Sequence, residues 1–246
     1  VERALHMVEE GADIIDIGGE STRPPGGVYG AGAERVSFDE EWQRVGPVIE
    51  LFRRHDRNTP ISIDTQKSDI ADLALEEGAN IVNDVSAGTS DPEMFRVAAN
   101  RRVPMILMHG HGPWFQKARI EEYVYDDVVI DVREYLADRI RDARAAGVYD
   151  LYADIGIGFA KTYRDNLRLL KHHDAFLSLG VPMVIGVSRK STIGLAMGGN
   201  IPPKERLIGS IAAACYAAQH GASIIRTHDV KETRESIVVI EAIRNS

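Results

Sequence analysis

One phrase recurs three times along the chain: Gly-Ala, a polar residue, two β-branched aliphatics and another polar residue. It appears as Gly11-Ala12-Asp13-Ile14-Ile15-Asp16, as Gly78-Ala79-Asn80-Ile81-Val82-Asn83 and, with serine in the polar slot, as Gly221-Ala222-Ser223-Ile224-Ile225-Arg226. Each copy reads as a helix that stops on a glycine and runs through a short loop into a buried strand. Two further strands open on proline, in Val103-Pro104-Met105-Ile106-Leu107-Met108-His109 and Val181-Pro182-Met183-Val184-Ile185-Gly186-Val187. Pro60-Ile61-Ser62-Ile63-Asp64 and Leu151-Tyr152-Ala153-Asp154 complete the set. The chain thus carries seven short apolar runs, near 14–18, 61–65, 81–85, 105–109, 151–155, 183–188 and 224–228, with helical stretches between them.

Strands that are apolar throughout and alternate with helices predict a parallel sheet covered on both faces. A doubly wound sheet opens with a Gly-rich turn after its first strand. The only similar text, Gly156-Ile157-Gly158-Phe159-Ala160-Lys161, follows a late strand and lacks the third glycine. A (β/α)8 TIM barrel, about 250 residues long, suits the 246 residues and the unit spacing better. It needs one strand more than the sequence offers. Because Val1 to Glu10 already reads as an amphipathic helix, the expectation is a single α/β domain over 1–246 whose first strand and loop lie upstream of Val1. The stretch Pro24 to Gly32 reads as a loop within that domain.

Composition narrows the setting. The single cysteine, Cys215, excludes an intramolecular disulfide and a Cys₄ or Cys₂His₂ zinc site, so a cytoplasmic protein is expected. The net charge of -8, from 29 Lys+Arg against 37 Asp+Glu, has the wrong sign for coating nucleic acid or an anionic membrane. No run approaches the roughly 20 apolar residues of a membrane span.

In a parallel barrel the active site lies at the carboxyl ends of the strands. Those ends are polar: Asp16, then Glu20 to Arg23; Asp64-Thr65; Asn83-Asp84; His109-Gly110-His111; Asp154; Ser188-Arg189-Lys190-Ser191; and Arg226-Thr227-His228-Asp229. Alternation along a strand puts Ser62 with Asp64, Tyr152 with Asp154, and Arg226 with His228. Asp84 and Asp229 have a plainer reading as helix caps, as do Ser191 and Thr192 after Lys190. That plainer reading does not explain why Asp64, Asn83, Asp154, Lys190, Arg226 and His228 share one rim. Asp64, Asn83 and Asp154 suit a flat heterocycle with adjacent N–H donors, whereas Arg23, Lys190, Arg226 and His228 offer cationic donors for a phosphate or carboxylate. No Ser-His-Asp order and no cysteine nucleophile emerges. The His109-Gly110-His111 spacing resembles a barrel metal element, but most other histidines fall in helical stretches, so no structural transition-metal site is expected.

The matching stretches resemble the dihydropteroate synthases of folate biosynthesis. They are 11–24, including Gly18-Gly19-Glu20-Ser21-Thr22-Arg23-Pro24; Ile63-Asp64-Thr65; Val82-Asn83-Asp84-Val85; Asp154 to Lys161; Ser188 to Ser191; and Arg226 to Val230. They occur in family order and cover nearly the whole chain. The resemblance implies a transferase that condenses 6-hydroxymethyl-7,8-dihydropterin diphosphate with p-aminobenzoate to 7,8-dihydropteroate and diphosphate. It implies that Asp64, Asn83, Asp154 and Lys190 hold the pterin, and that Arg226 and His228, with Thr22, hold the diphosphate. Thr22, Arg23, Pro24, Phe159, Lys190 and Ser191 would surround p-aminobenzoate, where sulfonamides compete in this family. Lys190, Arg226 and His228 would carry the catalytic electrostatics, by a dissociative route through a cationic pterin. Mg²⁺ is expected with the diphosphate, its associated Asn lying upstream of Val1 and no metal ligand within this span. The family is typically homodimeric.

Three departures stand out. Ile155 replaces the usual Pro and Ala160 the usual Gly. His109-Gly110-His111-Gly112 replaces His-Met-x-Gly, leaving His111 without a family role. The first strand, with its Thr-Pro-Asp-Ser-Phe stretch, is missing from the span, so weak activity and lowered stability are expected of this span by itself. The alternatives are a methyltetrahydrofolate-dependent corrinoid methyltransferase, which has little use for Ser188-Arg189-Lys190 and Arg226-x-His228, and a non-catalytic pterin-binding domain.

Overall fold

The computed structural model describes residues 1–21, 35–110 and 124–246. Thr22, Arg23, Pro24 and His111 lie outside them. In chain order the elements are α1 (Glu2–Glu9), β1 (Ile15–Gly18), α2 (Phe38–His55), β2 (Ile61–Asp64), α3 (Ser68–Glu76), β3 (Ile81–Asp84), α4 (Glu93–Arg101), β4 (Met105–Met108) and α5 (Val128–Ala145). There follow β5 (Leu151–Asp154), α6 (Tyr163–Lys171), a 3₁₀ helix (His173–Leu179), β6 (Met183–Ile185), α7 (Ser191–Ala196), a short 3₁₀ turn (Pro203–Glu205), α8 (Leu207–Gln219), β7 (Ala222–Ile225) and α9 (Val230–Arg244).

All seven expected strands form. They pair in parallel in the order β1-β2-β3-β4-β5-β6-β7, the strand-helix alternation of a TIM barrel wall. The last two differ in extent. Expected near 183–188 and 224–228, they end at Ile185 and Ile225; the Arg226 N–H still donates to Ile185 O at 2.8 Å, and His228 lies past the paired residues. The three repeat glycines have φ of +97° (Gly11), +115° (Gly78) and +94° (Gly221), the left-handed backbone that a helix-ending glycine supplies without steric cost.

Register sets which polar residues become neighbours. Asp16 lies beside Ser62, Asp64 beside Asn83, and Met108 beside Asp154. Beneath this rim the strands contribute Ile61, Ile63, Val82, Met105, Leu107, Leu151, Ala153, Met183 and Ile185, all buried against helix residues such as Ile49, Phe52, Ile70, Leu136 and Leu169. The helices begin where local chemistry directs. Ser37 Oγ accepts from the Glu40 N–H at 3.2 Å to cap α2, and Thr162 and Asp165 form a reciprocal capping box on α6.

Candidate active site

Three carboxyl ends on β1, β2 and β3 form one side of the mouth. Asp16 Oδ1 accepts from the Ser62 hydroxyl and from Asn83 Nδ2 at 3.2 Å, while its Oδ2 accepts from Arg226 Nε at 2.7 Å. Arg226 Nη2 donates to Asp64 Oδ2 at 3.0 Å. One guanidinium therefore spans two carboxylates, which raise its pKa, Asp16 foremost. Asp64 Oδ1 is buried and has no hydrogen-bond partner. A buried orphan acceptor costs about 1–3 kcal/mol, so the site retains it at the expense of stability and a ligand N–H would relieve it.

Burial, reinforced by the neighbouring Asp16, pushes the Asp64 carboxyl up to about 7 against the pull of Arg226. Its folded pKa thus lies above its unfolded value of about 3.9. The native state keeps a proton that the unfolded chain gives up, so stability is fully present below about pH 4 and is lost as pH rises through 7. Asp64→Asn should remove that loss. Its melting temperature should exceed wild type at pH 8 by more than at pH 5, alongside depressed turnover. Equal melting shifts at the two pH values would contradict this reading of Asp64.

The second side comes from β5 and the loops after β5 and β6. Asp154 Oδ1 accepts from the Gly156 N–H at 2.7 Å, and burial raises its pKa against the pull of Lys190. Lys190 Nζ donates to Ile157 O and lies 4.8 Å from the centre of the Phe159 ring. Burial lowers the Lys190 ammonium to about 8, with Asp154 opposing. The loop itself hangs on Lys161, only 2% exposed. Its Nζ lies 2.8 Å from His109 Nδ1 and donates to the carbonyls of Phe159 at 2.9 Å, Gly156 at 3.0 Å and His109 at 3.1 Å. Nδ1 of the sequence's candidate metal-element histidine, His109, is thus engaged by an amine.

Ala160 holds φ of +48°. An alanine there costs about 1–2 kcal/mol relative to right-handed backbone. Allowing for the extra freedom glycine gives the unfolded chain, Ala160→Gly should stabilise by about 1 kcal/mol. That is a rise in melting temperature of roughly 2–4 °C. A lower melting temperature would mean that the alanine methyl contributes more packing than its backbone costs.

The cationic side is braced from behind. Arg189, at φ of +58°, donates from Nε to Asp229 Oδ2 at 3.0 Å and also pairs through Nη2 with Oδ1. Its N–H reaches Ser210 Oγ at 2.8 Å, and its carbonyl accepts from Nη1 of the buried Arg206 at 2.8 Å. Arg189 is thus a strut that fixes the backbone before Lys190. Asp229 braces this strut and makes no side-chain cap on α9. Asp84 holds its own turn, accepting from the Ser86 and Gly88 N–H groups at 2.8 and 2.6 Å. His228 Nδ1 lies 2.9 Å from Ser188 Oγ. Desolvation, reinforced by the nearby Arg189 and Arg226 guanidinium groups, lowers the pKa of its imidazole.

The rim therefore brings Asp64, Asn83, Asp154, Lys190 and Arg226 around one mouth, with Phe159 against Lys190. Ser191 is the first residue of α7 and makes no cap, which corrects its plainer reading. The alternation argument fails for His228, which turns to Ser188 because the strand has already ended. Beside the undescribed Thr22 to Pro24, Glu20 Oε2 accepts from the Val36 N–H at 3.3 Å and from Lys67, which also pairs with the buried Glu41. Asp16, Ser62 and Ser188, named near the strand ends without a role, and Lys161 are structural partners. Strand register would have flagged the first two.

The family model described as pterin binding enzyme matches residues 1–228. The dihydropteroate synthase of Bacillus subtilis is 41% identical over 244 residues, covering 98% of this chain and 79% of that protein. The Xanthomonas albilineans dihydropteroate synthase solved with 4-aminobenzoic acid superposes with a TM-score of 0.90 at 40% identity, over 100% of this chain and 84% of that one. The structure of that enzyme with 7,8-dihydropteroate gives a TM-score of 0.85 at 37% identity, again over 100% of this chain and 84% of the other.

Proposed function

The chain belongs to the pterin-binding enzyme family, among its dihydropteroate synthases, and from that premise we propose how the rim divides the work. The protein is a transferase that joins 6-hydroxymethyl-7,8-dihydropterin diphosphate to p-aminobenzoate, giving 7,8-dihydropteroate and diphosphate. Relatives near 40% identity carry the synthase name, which sets aside the corrinoid methyltransferase and the non-catalytic domain.

Asp64, Asn83 and Asp154 accept hydrogen bonds from the N–H edge of the pterin, and Lys190 donates to its acceptor side. Arg226 and His228 take the diphosphate. As the bond from the pterin methylene to oxygen breaks, its electron pair leaves with diphosphate toward these donors. The cationic pterin left behind lies among carboxylates. The amine of p-aminobenzoate then forms the new C–N bond and releases its proton. No residue attacks covalently, and the acceleration comes from oriented charge and held geometry. Phe159 and Ser191 face p-aminobenzoate, and Thr22, Arg23 and Pro24 are assigned to it with Thr22 shared with the diphosphate.

Mg²⁺ is assigned to the diphosphate. Among the described residues no three His, Cys, Asp or Glu side chains converge to hold a metal ion, and no step is routed through one. We assign a cytoplasmic location; no helix among the described residues is long and apolar enough to cross a membrane. The homodimer assignment draws support from the exposed Ile208 on α8 and Val238, Val239 and Ile243 on α9.

The observation that carries this reading is the Arg226 guanidinium at the edge of the Asp64–Asn83 acceptors. It supports reading an anion site beside a heterocycle site. Calorimetric titration tests it. The protein should bind the pterin diphosphate far more tightly than the free pterin alcohol, and Arg226→Ala should collapse that difference. Equal affinities in the wild type would overturn the assignment of Arg226.

A further inference from the structure

Asp16 is where the two halves of this rim meet, and the division of work above leaves it without a role. Its carboxylate receives Asn83 Nδ2 at 3.2 Å and Arg226 Nε at 2.7 Å, with the Ser62 hydroxyl as a third donor. Ser62 is its register partner on β2, so backbone pairing of the two edge-side strands builds this contact.

Two chemical consequences follow. A side-chain amide can present either its oxygen or its NH₂ group. Beside a carboxylate only the NH₂ orientation is favourable, so Asp16 turns the Asn83 oxygen away from itself and makes Asn83 an acceptor for a ligand N–H. Asp16 also shares Arg226 with Asp64, whose Oδ2 is 3.0 Å from Nη2. With its Nε held by Asp16, the guanidinium stays at the edge of Asp64 and leaves Asp64 Oδ1 unpartnered. Without Asp16 the full guanidinium charge would settle on Asp64 and compete with the pterin for it.

We propose that Asp16 is a positioning residue that selects the pterin diphosphate, setting the acceptor face of Asn83 and the place of Arg226 without touching substrate. The inference rests on the synthase reading and deepens it. Asp16→Asn keeps the shape and an acceptor for Ser62 but loses the charge that orders both partners. It should raise the KM for the pterin diphosphate about 10- to 100-fold, equivalent to roughly 1.4–2.8 kcal/mol. The KM for p-aminobenzoate should stay within about twofold. In an Arg226→Ala background the Asp16→Asn penalty should shrink, since one of its two routes is gone. Ser62→Ala, a milder change, should move the pterin KM in the same direction by a few-fold and keeps the test open if Asp16→Asn does not fold.

A merely structural role would lower the melting temperature and weaken both substrates alike, and that outcome overturns the proposal. So does a pterin KM within twofold of wild type, or full additivity with Arg226→Ala. Failure of the wild type to make product would sink the synthase reading instead.

Discussion

Lys190→Ala is expected to cut kcat/KM for the pterin diphosphate by about 10²–10³, the scale set by losing one preorganised charged donor, with no loss of folded protein. Two effects combine. The ammonium that donates to Ile157 O beside the Phe159 ring is gone, and so is the positive charge that opposes burial at Asp154. Asp154 then takes up a proton more readily and ceases to be a full acceptor for a ligand N–H. Stability should be spared because burial already disfavours the Lys190 ammonium, and because the backbone there is held by Arg206 and Ser210 acting on Arg189. Steady-state rates with thermal unfolding of the same preparation check this. A rate within threefold of wild type would remove Lys190 from the chemistry.

Gly156→Ala should have the largest effect on stability. Gly156 holds φ of +67°, and a Cβ there would lie 2.0 Å from the His109 carbonyl oxygen, a backbone atom that cannot step aside cheaply. The loop must move, and Lys161 loses its fixed acceptors while staying buried. Backbone strain and a stranded buried amine together cost about 3–5 kcal/mol, equivalent to a fall in melting temperature of roughly 6–20 °C. Turnover should fall too, because Ile157 and Phe159 leave Lys190. A variant that melts within 2 °C of wild type would show that the loop tolerates displacement. Ala160→Gly, four residues along, carries the opposite expected sign, so the pair separates backbone strain from general sensitivity of this loop.

Much of this was readable in advance. The Gly-Ala repeat located three strands and their preceding helix ends, and β6 and β7 ran shorter than expected because the strand character ends at Ile185 and Ile225. The rim set was legible because barrel sites gather at carboxyl strand ends and the ligand-type residues fall there in sequence. Roles that depend on a neighbour's side chain were not legible. Asp84 and Asp229 both end a strand or loop next to a helix. One closes its own turn and the other braces Arg189, which only the placement of β6 against β7 decides. Asp16 looked like any strand-end acid because its partners lie 46, 67 and 210 residues away. Lys161 received no role from sequence because nothing local reveals that four acceptors converge on it.

The most direct measurement follows both products at once. The purified protein is mixed with 6-hydroxymethyl-7,8-dihydropterin diphosphate, p-aminobenzoate and Mg²⁺, and 7,8-dihydropteroate and diphosphate are quantified over time. The two should appear in equal amounts, and both should vanish together when p-aminobenzoate is omitted. A folded protein that binds the pterin diphosphate yet forms no dihydropteroate, or releases diphosphate at the same rate without the amine, would contradict the synthase reading.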